Sequence, residues 1–189
     1  NSGLTSMAGF NSLKTGNGSV WVRNNQPFGD AMFFPALVSI GQDLSTSAGG
    51  FAALVSVGQD LSASAGSFGS LVSVGRDLST SVDGFDALVS IGRDLSTTAG
   101  GFGALVSVGR NLSTTVEGFD VLVSVGGNLS TSAGGFGALE EVGGSLEIDG
   151  PSVLTDPDGF ASLTRVGGSL AFRYLPESVT HLSAFRELL

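Results

Sequence analysis

The chain has 189 residues and a formal net charge of −9, from 8 Lys and Arg against 17 Asp and Glu. It has no cysteine and one histidine, which excludes disulfides, thiolate metal sites and histidine-cluster metal sites. An acidic chain without a basic stretch is a poor partner for nucleic acid or an anionic membrane, and no apolar run reaches the ~18 residues of a membrane-spanning helix.

An internal repeat organises the chain. Residues 1–33 hold a divergent unit carrying Phe10, Leu13, Gly18, Val20 and Val22, with 24 residues from Phe10 to Phe34. Over 34–135 the period shortens to 17, with Phe34, Phe51, Phe68, Phe85, Phe102, Phe119 and Phe136 evenly spaced. Each is followed by Leu (Leu37 to Leu139), then Ile or Val (Ile40 to Val142), then Gly (Gly41 to Gly143) and a second Leu (Leu44 to Leu146). Over 136–189 the unit lengthens again, to 24 residues from Phe136 to Phe160 and 25 from Phe160 to Phe185. These long units keep Leu139, Val142, Gly143, Leu146 and Ile148, then Leu163, Val166, Gly167, Leu170 and Phe172. Val82-Asp83-Gly84-Phe85-Asp86 returns 34 residues later as Val116-Glu117-Gly118-Phe119-Asp120, which points to duplication of a two-unit block.

A 17-residue period is too short for a helix-turn-helix repeat. Leu44-Ser45-Thr46-Ser47-Ala48 alternates as a strand does, with Leu44, Thr46 and Ala48 inward and Ser45 and Ser47 outward. Ala63 and Ile148 occupy the Thr46 slot, which fits an inward position. Glycines permit tight corners, and all five prolines lie outside 36–150, where no ladder donor is lost. The expected fold is all-β: a right-handed parallel β-solenoid of 17-residue coils flanked by 24–25-residue coils, each coil adding one strand. Residues 1–33 form the N-terminal capping coil, 34–135 the six regular coils, and 136–189 the longer coils and C-terminal cap.

Glu140-Glu141-Val142-Gly143-Gly144-Ser145-Leu146-Glu147-Ile148 and Thr164-Arg165-Val166-Gly167-Gly168-Ser169-Leu170-Ala171-Phe172 resemble the repeats of receptor L domains, relatives of leucine-rich repeats. The resemblance is carried by 136–189, more weakly by 10–22, and implies a right-handed β-helical coil in a secreted or cell-surface recognition module. No binding residue carries over from it, and the coils of 34–135 are about seven residues shorter than the family's.

No converging catalytic set stands out, and no cofactor or enzyme activity is expected. His181 has no evident partner, and Gly100-Gly101-Phe102-Gly103 lacks the lysine of a phosphate loop. Asp83 with Asp86, and Glu117 with Asp120, offer too few oxygens for calcium. Asp43, Asp60, Asp77 and Asp94 form a column continued by Asn111 and Asn128, where like charges would repel unless Arg76, Arg93 and Arg110 compensate.

The outward slots are more informative. Ser45, Ser62, Ser79, Ser96, Ser113 and Ser130 form one column, and Ser47, Ser64, Ser81, Thr98, Thr115 and Ser132 a second. Neighbours are ~4.8 Å apart across strands and ~6.6–7 Å apart along one, which gives a two-column lattice of small hydroxyls. Val38, Val55, Val72, Val89, Val106 and Val123 form an apolar strip elsewhere on the coil, and exposed apolar strips mark contact surfaces. At the long coils both arrays give way to charge, at Glu140, Glu141, Glu147, Asp149 and Arg165. Duplication and strand propensity explain why the coils match one another. They do not explain why charge is missing from the copied faces. The surface is similar to that of solenoid ice-binding (antifreeze) proteins, which present regular Thr, Ser or Val arrays of low charge. The expected partner is therefore an ice surface, met by the Ser/Thr columns ahead of the Val strip. The alternative is a non-enzymatic adhesion or recognition module whose partner is a cell-surface glycan or protein.

Overall fold

The computed structural model describes residues 8–23, 34–150, 159–174, 185, 187 and 188. It is a parallel β-solenoid, as the repeat predicts, with coils of about 17 residues and a 3-10 turn at Ala8–Phe10. His181, and the added residues of the long coils at 24–33, 151–158 and 175–184, lie outside the described residues.

Each coil contributes two strands rather than one. The Leu–Ser–Thr sheet holds nine three- or four-residue strands, from Val20–Val22 and Leu44–Thr46 to Leu146–Asp149 and Leu170–Arg173. The second, the Val–Ser sheet, holds nine two-residue strands, from Thr15–Gly16 and Ser39–Ile40 to Arg165–Val166. Two residues are too few to show an alternating pattern, so this sheet has no signature in the sequence. Both sheets are parallel and in register from coil to coil, with Leu95 level with Leu78 and Leu112, and Val108 level with Ile91 and Val125. Nine strands make a rod about 40 Å long.

The interior is the expected set of ladders. Phe51, Phe68, Phe85, Phe102, Phe119, Phe136 and Phe160 are fully buried, as are the Leu and Val or Ile columns beside them from Leu37 to Leu146. The phenyl rings stack along the axis with centroids 5.1–5.9 Å apart and planes within 2–9° of parallel from Phe51 to Phe160. Offset stacking of this kind adds to the area burial of each ring.

The inward threonines do more than fill space. The Thr97 hydroxyl donates to the Ala99 carbonyl at 2.7 Å and accepts from the Ala99 N–H at 3.0 Å. Thr46, Thr80, Thr114 and Thr131 repeat the pair with the residue two positions on. A buried hydroxyl that satisfies both backbone groups of a corner residue stabilises the bend locally. Gly101, with φ of 83°, then turns the chain into Phe102 in a conformation that side chains rarely adopt. The glycine that follows each Val or Ile has a different reason. A Cβ at Gly75 would fall inside the contact shell of the Gly58 carbonyl oxygen, one coil away.

The Asp–Asn column is cohesive, not repulsive. Each side chain accepts the backbone N–H of the equivalent residue in the next coil: Asp43 Oδ1 from Asp60 at 3.2 Å, Asp60 from Asp77 at 3.2 Å, Asp77 from Asp94 at 3.1 Å. Asp94 takes the Asn111 N–H at 2.9 Å, Asn111 that of Asn128 at 2.9 Å, and Asn128 that of Ser145 at 2.8 Å. Ser19 and Ser145 do the same through hydroxyls at the two ends. The arginines sit as expected, Arg76 3.6 Å from Asp60, Arg93 3.7 Å from Asp77 and Arg110 3.9 Å from Asp94. All three pairs are solvated, and their main effect is to cancel charge along the column.

Candidate functional site

The outward face of the Leu–Ser–Thr sheet carries the two hydroxyl columns. Ser62, Ser79, Ser96, Ser113 and Ser130 are mid-strand, exposed and directly paired across coils. Ser64, Ser81, Thr98 and Thr115 are exposed as well but lie one residue past the strand end. Their backbone holds the ladder more loosely: Ser64 N–H reaches Thr46 O at 3.1 Å, Ser81 reaches Ala63 O at 3.3 Å and Thr98 reaches Thr80 O at 3.4 Å. A shallow trough runs between the columns past Ser62, Ser79 and Ser96 on one side and Ser64, Ser81 and Thr98 on the other.

The ends of the lattice differ from the expectation. Ser45 is buried, because Arg23 folds over it and donates from Nε to its hydroxyl at 2.7 Å. Ser47 is half-buried, with its hydroxyl 3.4 Å from the Val22 carbonyl, and Ser132 is half-buried beside Gly150 of the long coil. The uniform exposed field therefore runs from Ser62 to Ser130. Nothing in the repeat itself signals the loss of Ser45. The signal is the 24-residue offset of the first coil, which sets Trp21 level with Ser45 in the sheet register.

The two sets of hydroxyls are used in opposite ways. Every inward threonine spends its hydroxyl on the corner. The hydroxyls of Ser62, Ser79, Ser96, Ser113 and Ser130 make no hydrogen bond within the described residues, nor do those of Ser64, Ser81, Thr98 and Thr115. Nine hydroxyls thus face solvent as a charge-free array. At the C-terminal end the array stops at Glu147, which pairs with Arg173 at 3.1 Å.

The Val strip lies at the entry to the Val–Ser sheet. Val38, Val55, Val72, Val89 and Val106 are 38–41% exposed, whereas Val123 is half-buried. The strip is as regular as the hydroxyl columns, since the Val55, Val72, Val89 and Val106 N–H groups each reach the preceding Val carbonyl at 2.8–2.9 Å. It is bounded by Glu140 and by the Glu141–Arg165 pair at 2.9 Å.

Among the described residues no three His, Asp or Glu side chains gather as metal ligands, and Asp83 instead accepts the Gly100 N–H at 2.8 Å. No family model matches this chain, and neither the curated proteins nor the solved structures give a match.

Proposed function

We propose that the protein binds ice through the Ser/Thr face of the Leu–Ser–Thr sheet. The observation that carries this reading is the array of nine exposed hydroxyls, in register and without intramolecular partners, with no charged residue among its slots and the Asp column along one edge. Hydroxyls at strand spacing, each left to water, can order a first hydration layer along two rows. Carboxylates and ammonium groups would impose hydration shells of their own. Such an activity belongs outside the cell, and we read the chain as a secreted or surface protein whose coil is a shortened relative of the receptor L-domain repeat.

Thermal hysteresis and ice shaping test it. The wild-type chain is expected to shape crystals and depress the freezing point below the melting point. Ser96→Tyr, at an outward slot in the middle of the field, should abolish both while the far-UV spectrum and Tm stay unchanged. Val89→Tyr should leave them intact. Neither hysteresis nor shaping from folded wild type at high concentration would end the proposal, and loss with Val89→Tyr alone would move the ice face to the Val strip.

A further inference from the structure

At the N-terminal end of the hydroxyl face a groove opens between the Ser column and the Asp column, and its contents are unlike the rest of the surface. Trp21, the single tryptophan of the chain, stands at its end with 70% of its surface exposed. Arg23, Asp43, Asp60 and Asp77 line it, with Ser62 and Ser79 along the opposite side. We propose that this groove binds a neutral glycan, aligned with the rod axis. The inference stands apart from the ice reading, since it needs neither the second hydroxyl column nor the centre of the field.

Three features define the ligand. The indole is an exposed aromatic platform, and such a face takes the C–H side of a sugar ring. The carboxylates are fixed acceptors: Oδ1 of Asp60 and of Asp77 is committed to the backbone N–H of the next coil, which holds the group in place. Oδ2 of each takes part in none of these contacts, which leaves a spare acceptor on each carboxylate, one coil apart. Arg23 is anchored through Nε to Ser45 and keeps its terminal nitrogens as donors. Paired acceptors and donors at a repeating step beside an apolar plate match a chain of polyhydroxylated rings.

Charge decides against a cation. Asp43, Asp60 and Asp77 bring three negative charges, and Arg23, Arg76 and Arg93 bring three positive ones into the same region. The groove is therefore locally neutral although the chain carries −9. A polyamine or basic peptide would gain no net attraction, while a neutral sugar meets hydrogen-bonding groups and brings no charge of its own to desolvate.

Trp21 supplies its own readout, because all indole fluorescence comes from this groove. Titration with cellohexaose, laminarihexaose, mannohexaose and chitohexaose is expected to give a saturable change in Trp21 emission with at least one of the four. The double variant Asp60→Asn/Asp77→Asn keeps the side-chain oxygen that the ladder needs, as Asn111 and Asn128 do in the same column, but turns the outward acceptor into a donor. It should fold normally and bind about tenfold more weakly, the loss of one or two hydrogen bonds to charged acceptors. Trp21→Ala, followed by retention on the matching insoluble polysaccharide, should lose retention with an unchanged Tm. Ser96→Tyr should retain full sugar binding even as it removes ice activity. No saturable response to any of the four sugars, equal affinity in the double asparagine variant, or a response to spermine in place of sugars would each overturn the proposal.

Discussion

The regular coils and the long coils share one interior and differ in their exteriors. Leu129 and Leu146 are equivalent inside the Leu–Ser–Thr sheet, and Val125 and Val142 inside the Val–Ser sheet. On the outside, Ser130 faces Glu147, and Ser124 faces Glu141. The long coils then form cross-coil ion pairs, Glu147–Arg173 and Glu141–Arg165, at slots where the regular coils carry hydroxyls. So the fold accepts charge at these positions. The hydroxyl field is a property of the regular coils alone and is not required by the solenoid. That contrast is what makes the field a candidate for recognition.

The contrast can be broken from within. Phe102→Ala removes one ring from the middle of the stack and should cost ~3–5 kcal/mol, read as a fall in Tm and in the denaturant midpoint. Gly75→Ala drives a methyl group against the neighbouring coil's backbone and should cost ~1–3 kcal/mol by the same measurement. Asp77→Ala takes the acceptor from the Asp94 N–H and should cost about 1 kcal/mol, while Asp77→Asn should be close to neutral. The smallest effect on stability sharpens the comparison most. Ser113→Glu with Ser130→Arg sets a directly level ion pair, of the kind Glu141 and Arg165 form on the Val–Ser sheet, into the hydroxyl face and should change stability by no more than ~0.5 kcal/mol. Ice shaping should nevertheless fail, because a charged pair then sits inside the array.

The interior is legible from spacing because the Phe, Leu and Val or Ile slots recur every 17 residues. The outward slots followed from alternation around Leu44. The Val–Ser sheet escaped because its strands are too short to alternate. In the Asp column the compensating arginines follow from the sequence, whereas the ladder of hydrogen bonds does not follow from charge alone. Its continuation into Asn111, Asn128 and Ser145, all oxygen acceptors, was the available sign. The groove at Trp21 needed the structure, since it joins a side chain of the first coil to carboxylates from three others.

The ladder that runs from Asp43 to Ser145 also has an editorial consequence. Each coil offers the same oxygen to the coil above that it receives from the coil below, so its two rims are interchangeable with those of any other regular coil. Excising 85–101 would bring Gly84 to Phe102 and reunite matching rims, and copying the same stretch would lengthen the rod by one step. The number of coils is therefore a dial that duplication can turn without redesigning the protein, and each turn alters the reach of the exposed surface while leaving its local geometry the same.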